Sequence, residues 1–232
     1  MNDRLQTLPG YDAGSGSLAA QRNRVLRNTY WLLALSMLPT VLGAWVGVAT
    51  GITAVMSPVV GLVVFLGGAF AFMFAIEKTK DSAAGVAVLL AFTFFMGLML
   101  SRLLGIVLGF KNGTSLVMTA FGGTAVVFLA MATLASVIKR DLSGMGKFLF
   151  VGALVIMVAG IINVFVQSSA AFLTMSVLCI GLFSAFMVYD LKRVIDGGET
   201  NYISATLALY LDIYNVFQSL LSLLGIFGGD SD

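Results

Sequence analysis

The sequence predicts an all-α polytopic membrane protein with seven transmembrane helices, and three observations carry the prediction. Apolar residues fill 59% of the 232 positions and charged residues only 10%, far from the balance of a soluble domain. Mean hydropathy is +1.01. The apolar residues also gather into seven runs, each long enough to cross roughly 30 Å of hydrocarbon at about 1.5 Å per residue.

Residues 1–28 are polar, carry Pro9-Gly10 and Gly14-Ser15-Gly16, and lack an apolar core of signal-peptide type. They read as a mostly disordered cytoplasmic tail. Its end holds Arg22, Arg24 and Arg27 directly before the first run, a charged anchor at a membrane boundary. The runs are Thr29 to Thr50, Pro58 to Ile76, Ala83 to Leu108, Ser115 to Ile138, Phe148 to Gln167, Ala171 to Tyr189 and Ile203 to Phe227. Residues 29–228 thus form the transmembrane domain, and 229–232 a short acidic tail. Small residues four apart in the first run (Gly43, Gly47, Gly51) and the Gly122-Gly123 pair in the fourth predict close helix packing. Arg102 interrupts the third run near its outer end, where a long side chain reaches the interface at little cost. No inverted repeat of the transporter kind is visible.

Alternating the connections across the membrane collects eleven of the thirteen basic residues on one side, leaving Arg102 and Lys111 on the other. That asymmetry puts the amino terminus in the cytoplasm, and an odd number of crossings sends the carboxyl terminus outside. The same basic residues are scattered over helix ends, so nucleic acid is not an expected partner. Histidine is absent and Cys179 is the single cysteine. Histidine-dependent catalytic triads, haem ligation and the usual zinc sites are excluded, as is a disulfide within the chain.

The seventh run differs from the rest. At about 100° per residue, Ser204, Ala208, Asp212, Asn215, Ser219 and Ser222 share one stripe. Leu207, Tyr210, Tyr214, Phe217, Leu221 and Leu224 lie opposite. A polar stripe on a membrane helix faces protein or a watered path rather than lipid. Asp212, roughly 14 Å along this helix, falls near mid-bilayer, where an ionised carboxylate costs about 3 kcal/mol or more. Asn215 and Ser219, one and two turns on, are the expected hydrogen-bonding neighbours, with Ser222 continuing the stripe.

The remaining acidic residue of the membrane region is Asp190, at the cytoplasmic end of the sixth run beside Lys192 and Arg193. Two carboxyls in contact cannot both ionise cheaply, so Asp190 and Asp212 together would share a proton and behave as a pH-sensitive latch between two helices. Spacing sets Asp190 shallow and Asp212 deep, so they meet only if the sixth helix ends inside the protein or the last one begins well below the surface. Paired aspartates also serve intramembrane aspartyl proteases. Here, however, Leu209-Tyr210-Leu211 precedes the second aspartate where that chemistry has Gly-x-Gly, and no proline follows Pro58. The chain is not expected to be an enzyme.

From about residue 25 onward the sequence resembles the Bax inhibitor-1 family, with its bacterial YccA-like branch the best match. The resemblance rests on Val25-Leu26-Arg27-Asn28-Thr29-Tyr30, Gly122-Gly123-Thr124-Ala125, Asp141-Leu142-Ser143, Asn163 and Gly197-Gly198-Glu199-Thr200-Asn201-Tyr202-Ile203. It continues through Leu209 to Phe217 and Leu220 to Gly225. It implies six helices wrapped around a central seventh in a bacterial inner membrane, where the outer side expected for the carboxyl terminus is the periplasm. It also implies one of two roles. The first is a calcium leak gated by an aspartate pair matching Asp190 and Asp212, which would hold calcium weakly and transiently. The second is a modulator or binding partner of the membrane-bound protease FtsH. The second run is free of charge until Glu77, so it offers the ion no further carboxylate. No resident cofactor is implied.

Overall fold

Lipid offers backbone amides no hydrogen-bonding partner, so each spanning segment must satisfy its own. The computed structural model, which describes residues 11–229, accordingly folds every run as a helix. These are α1 (Tyr11–Thr50), α2 (Pro58–Thr79), α3 (Ala83–Leu108), α4 (Gly113–Val137), α5 (Met145–Val166), α6 (Ser169–Asp196) and α7 (Tyr202–Gly228). All seven are long and apolar enough to cross a membrane.

The helix ends depart from the hydropathy boundaries in two instructive places. The tail expected to be disordered over 1–28 is helical from Tyr11; residues 1–10, and Asp230 and Asp232 of the acidic tail, lie outside the described residues. Val25 and Leu26 pack on Val194, Ala205 and Tyr202, so the polar stretch before the membrane extends an already nucleated helix, at the low cost of propagation. α6 likewise runs through Asp196 rather than stopping at Tyr189. Charged side chains end a hydropathic run without ending a helix. What ends α6 is Gly197, at φ +81°, in the left-handed conformation glycine adopts without strain.

α7 sits at the centre. α1, α2, α3, α4 and α6 all pack against it, while α5 packs on α6 and touches the edge of α2. The face of α7 opposite the polar stripe is buried too: Tyr210, Tyr214 and Leu221 are almost fully enclosed. The Tyr214 hydroxyl donates to the Met96 carbonyl at 3.3 Å. The Tyr210 hydroxyl lies 3.4 Å from the Thr93 carbonyl and 3.0 Å from Thr40 Oγ1, tying α7 to α3 and α1.

The tightest seam is α1 against α3. A Cβ on Gly97 would strike the Thr40 carbonyl, one on Gly43 the Phe94 carbonyl, and one on Gly47 the Ser101 hydroxyl. Backbones approach this closely only where side chains are missing, the usual basis of helix association in lipid. Gly51, the third small residue of that series, instead ends α1 at φ +66° in open space. In α4, Gly123 makes ordinary contact with Leu220, and Gly122 faces open space, so that pair is not a second seam. Around the bundle, Trp31, Trp45, Phe74, Phe148 and Phe165 are exposed, an apolar surface suited to lipid.

Gly97→Leu should separate α1 from α3 and lower the thermal midpoint in detergent, with overpacking costing about 1–3 kcal/mol or more. Gly122→Ala should stay within about 0.5 kcal/mol of the parent. Equal midpoints for the two variants would show that the seam carries no packing strain.

Candidate functional site

The site is assembled by the short connection between α6 and α7. At the end of α6 the Gly197 amide donates to the Val194 carbonyl at 3.2 Å and the Gly198 amide to Arg193 at 2.8 Å, which closes the helix and reverses the chain. Asn201 then caps α7: its side-chain oxygen accepts from the amides of Ile203 (2.9 Å) and Ser204 (3.1 Å). The same side chain donates to the Lys80 carbonyl at 3.0 Å and to Asp81 Oδ1 at 2.9 Å, fastening the turn to the α2–α3 connection. Glu199 accepts the Asn201 amide at 2.9 Å. The Gly-Gly-Glu-Thr-Asn stretch is therefore a built turn that fixes how α6 and α7 are offset.

That offset brings the aspartates together. Asp190 lies six residues, about 9 Å, inside the end of α6, and Asp212 ten residues, about 15 Å, inside the start of α7. Their carboxyls face each other within hydrogen-bonding reach. The conflict of depth disappears because α6 continues for nearly two turns beyond Asp190. Asp212 stands only about one turn on this side of the middle of α7.

The two carboxyls differ in surroundings. Asp212 is 3% exposed, and its Oδ2 has no hydrogen-bonding partner among the described residues. Asp190, with its side chain 12% exposed, has Arg193 Nη1 at 3.8 Å from Oδ1. Arg193 also donates to Glu199 Oε2 at 3.3 Å and covers the ring of Tyr189 at 5.8 Å. Lys192 turns away to Asp196 at 2.9 Å. From the exposed end inward, the order is Glu199, Arg193, Asp190, Asp212. Arg193 and Glu199 are the participants that spacing alone did not single out, although Asp190 and Arg193 stand three apart on one helix and were bound to be neighbours.

The expected supporting stripe behaves differently. The Asn215 amide donates to the Leu211 carbonyl at 2.8 Å and the Ser222 hydroxyl to the Gln218 carbonyl at 2.8 Å, while Ser219 lies near the Cys179 thiol of α6. None of the three is a hydrogen-bonding partner of Asp212. In a water-poor helix a short polar side chain finds the carbonyl one turn back before it finds a neighbour. The pair is thus held by two helices and little else.

Two adjacent carboxyls shielded from water repel when both are ionised and can bond to each other when one carries a proton. As a cation site the pair is sparse. Calcium takes six to eight hard oxygens, and no group of three acidic, cysteine or histidine side chains occurs among the described residues. At the same end, outside the membrane, Asp141 accepts the Ser143 amide (2.8 Å) and hydroxyl (2.9 Å). Those bonds, the backbone one first, hold its carboxyl below the usual carboxylate range. The stability they lend is present at neutral pH and fades as pH falls through the lowered value. The next residue, Leu142, packs on the main core.

Comparison with known proteins gives a consistent picture. The family model described as "Inhibitor of apoptosis-promoting Bax1" matches residues 22–229. The chain is 39% identical over 206 residues to an uncharacterized membrane protein of Vibrio cholerae, covering 89% of this chain and 91% of that one. It is 36% identical over 208 residues to the Escherichia coli protein named "Modulator of FtsH protease YccA", covering 90% and 92%. A protein of Escherichia coli O6:H1 with the same identity is named "Inner membrane protein YccA".

If the two carboxyls share a proton, the thermal midpoint of the parent protein in detergent should fall as pH rises, because loss of that proton leaves two charges that repel. Asp212→Asn keeps a donor toward Asp190 and removes the repulsion, so its midpoint should be nearly flat. Parallel profiles for parent and variant would mean that the two carboxyls do not act on each other.

Proposed function

The chain belongs to the Bax inhibitor-1 family, and from that membership we propose that it is a non-enzymatic, multi-pass inner-membrane protein that leaks calcium under control of the Asp190–Asp212 pair. The observation that carries this reading is the meeting of two sheltered carboxyls on separate helices, with one oxygen of Asp212 unpartnered. The location is supported by the relative named as an inner-membrane protein, and the orientation by the charge asymmetry, which puts the aspartate end in the cytoplasm.

In this mechanism the shared proton is the latch. With it, the carboxyls bond and α6 stays against α7. Without it, two negative charges at roughly 4 Å repel by about 4 kcal/mol at an effective dielectric near 20. That is enough to shift a two-state balance by about a thousandfold. The opened pair then offers oxygens to a passing calcium ion, which completes its shell with water and moves on because the site is too sparse to hold it. Arg193 bonds to Glu199 and sits beside Asp190, so it steadies the ionised form from the exposed side.

A second reading is supported by the relative named as a modulator of FtsH protease. In it the chain engages a protease of that type, and the stretch before the membrane serves as the handle. Val25 and Thr29 are buried, whereas Arg22, Arg24 and Arg27 are exposed, so a deletion meant to remove the handle alone should stop short of Gln21.

Reconstituted in liposomes, the parent protein should pass calcium faster as pH rises, and Asp212→Asn should abolish the pH dependence. Identical flux at every pH would overturn the gate, and a variant less stable but unchanged in flux would reduce the pair to helix packing. Removal of residues 1–19 should leave flux intact while lowering co-purification with an FtsH-type protease. Undiminished capture would remove that segment from the second reading.

A further inference from the structure

The half of the bundle away from the aspartates carries a feature that neither reading uses. Among the described residues the backbones of α5 and α7 stay more than 8 Å apart, Cα to Cα, as do those of α3 and α6. A crevice is left between α2–α3 and α5–α6, with α7 as its floor. Gln218, the exposed polar residue of α7, lies there. Two cavities of about 310 and 340 Å³, open on their outer side, share Met99, Arg102 and Gln218 as lining. Phe65 and Val164 wall the first, and Phe172 the second.

Arg102 is the charge in this apolar setting. One guanidinium nitrogen donates to the Met56 carbonyl at 3.1 Å, and no ion pair among the described residues involves it. Among those residues every carboxylate lies on the other half of the bundle. A guanidinium has five N–H donors in a planar fork that matches a phosphate. The Gln218 side-chain amide has no partner among the described residues, and two of its hydrogens are donors. Arg102 is exposed near the outer end of α3, at the depth where a guanidinium reaches lipid headgroups and has N–H donors to offer an anion. A calcium ion is the wrong guest, since Arg102 repels it.

We propose that this crevice binds one anionic phospholipid from the adjacent leaflet. Its phosphodiester sits on Arg102, an ester carbonyl accepts from the Gln218 amide, and the acyl chains run along Phe65, Val164 and Phe172. The apolar walls and the outward opening select a lipid rather than a free anion. The inference is independent of the calcium and protease readings, because it uses no residue of the aspartate site.

The test is native mass spectrometry of the full chain in detergent, titrated with phosphatidylglycerol, phosphatidylcholine or inorganic phosphate. The parent should retain one phosphatidylglycerol in preference to phosphatidylcholine and ignore inorganic phosphate. Arg102→Gln should weaken retention roughly tenfold, the loss of one charge-assisted contact, and Arg102→Lys should restore part of it. Gly61, whose added Cβ would stand 3.8 Å from the Arg102 guanidinium, provides an independent variant: Gly61→Leu should narrow the mouth and block retention even if Arg102→Gln fails to fold. Unchanged phosphatidylglycerol retention in Gly61→Leu and in any folded Arg102→Gln would overturn the proposal. So would retention of inorganic phosphate equal to that of the lipid.

Discussion

Everything in this bundle depends on enclosing a carboxyl in a membrane. Asp212 is too expensive to show to lipid, so the helix that bears it must be surrounded, and the surrounding helices must leave their own polar groups satisfied. α7 meets the first demand by occupying the centre. Tyr210 and Tyr214 meet the second by placing their hydroxyls against the backbone of α3, so that even the side of α7 away from Asp212 is held by hydrogen bonds as well as apolar contact.

The two main packing seams are of opposite character. α1 and α3 meet backbone to backbone through Gly43, Gly47 and Gly97, a dense contact with few alternatives. α6 and α7 bring a pair of acids together at their seam. In the proposed function, that seam depends on a proton while the α1–α3 seam does not, so the bundle would open between α6 and α7.

The ends of α7 are also chemically opposed. Toward the α6 turn lie Asp212, Asp190, Arg193 and Glu199. Toward its far end, the crevice beside Gln218 holds Arg102 without a carboxylate among the described residues. An ion attracted to one end is repelled at the other. A lipid anion at Arg102 would ease that polarity by neutralising the guanidinium.

Seven spanning helices, the special status of the last one and the identity of its two acids follow from the sequence alone, because hydropathy and helical periodicity are local properties written into neighbouring residues. The helix ends were less legible. α6 outruns its apolar stretch because Gly197, rather than the charges at Asp190, Lys192 and Arg193, stops the backbone. The polar residues before the membrane join α1 because Val25 finds its partners Val194, Tyr202 and Ala205 far along the chain, around the α6–α7 turn. The stripe on α7 marked an inward face, but the hydrogen bonds of Asn215 and Ser222 went to carbonyls one turn back instead of to Asp212. Whether Asp190 reaches Asp212 was beyond any spacing argument. The offset of two antiparallel helices is set by the turn between them and by Asn201 anchoring that turn to the α2–α3 connection, and such contacts between distant segments exist only once the chain has folded.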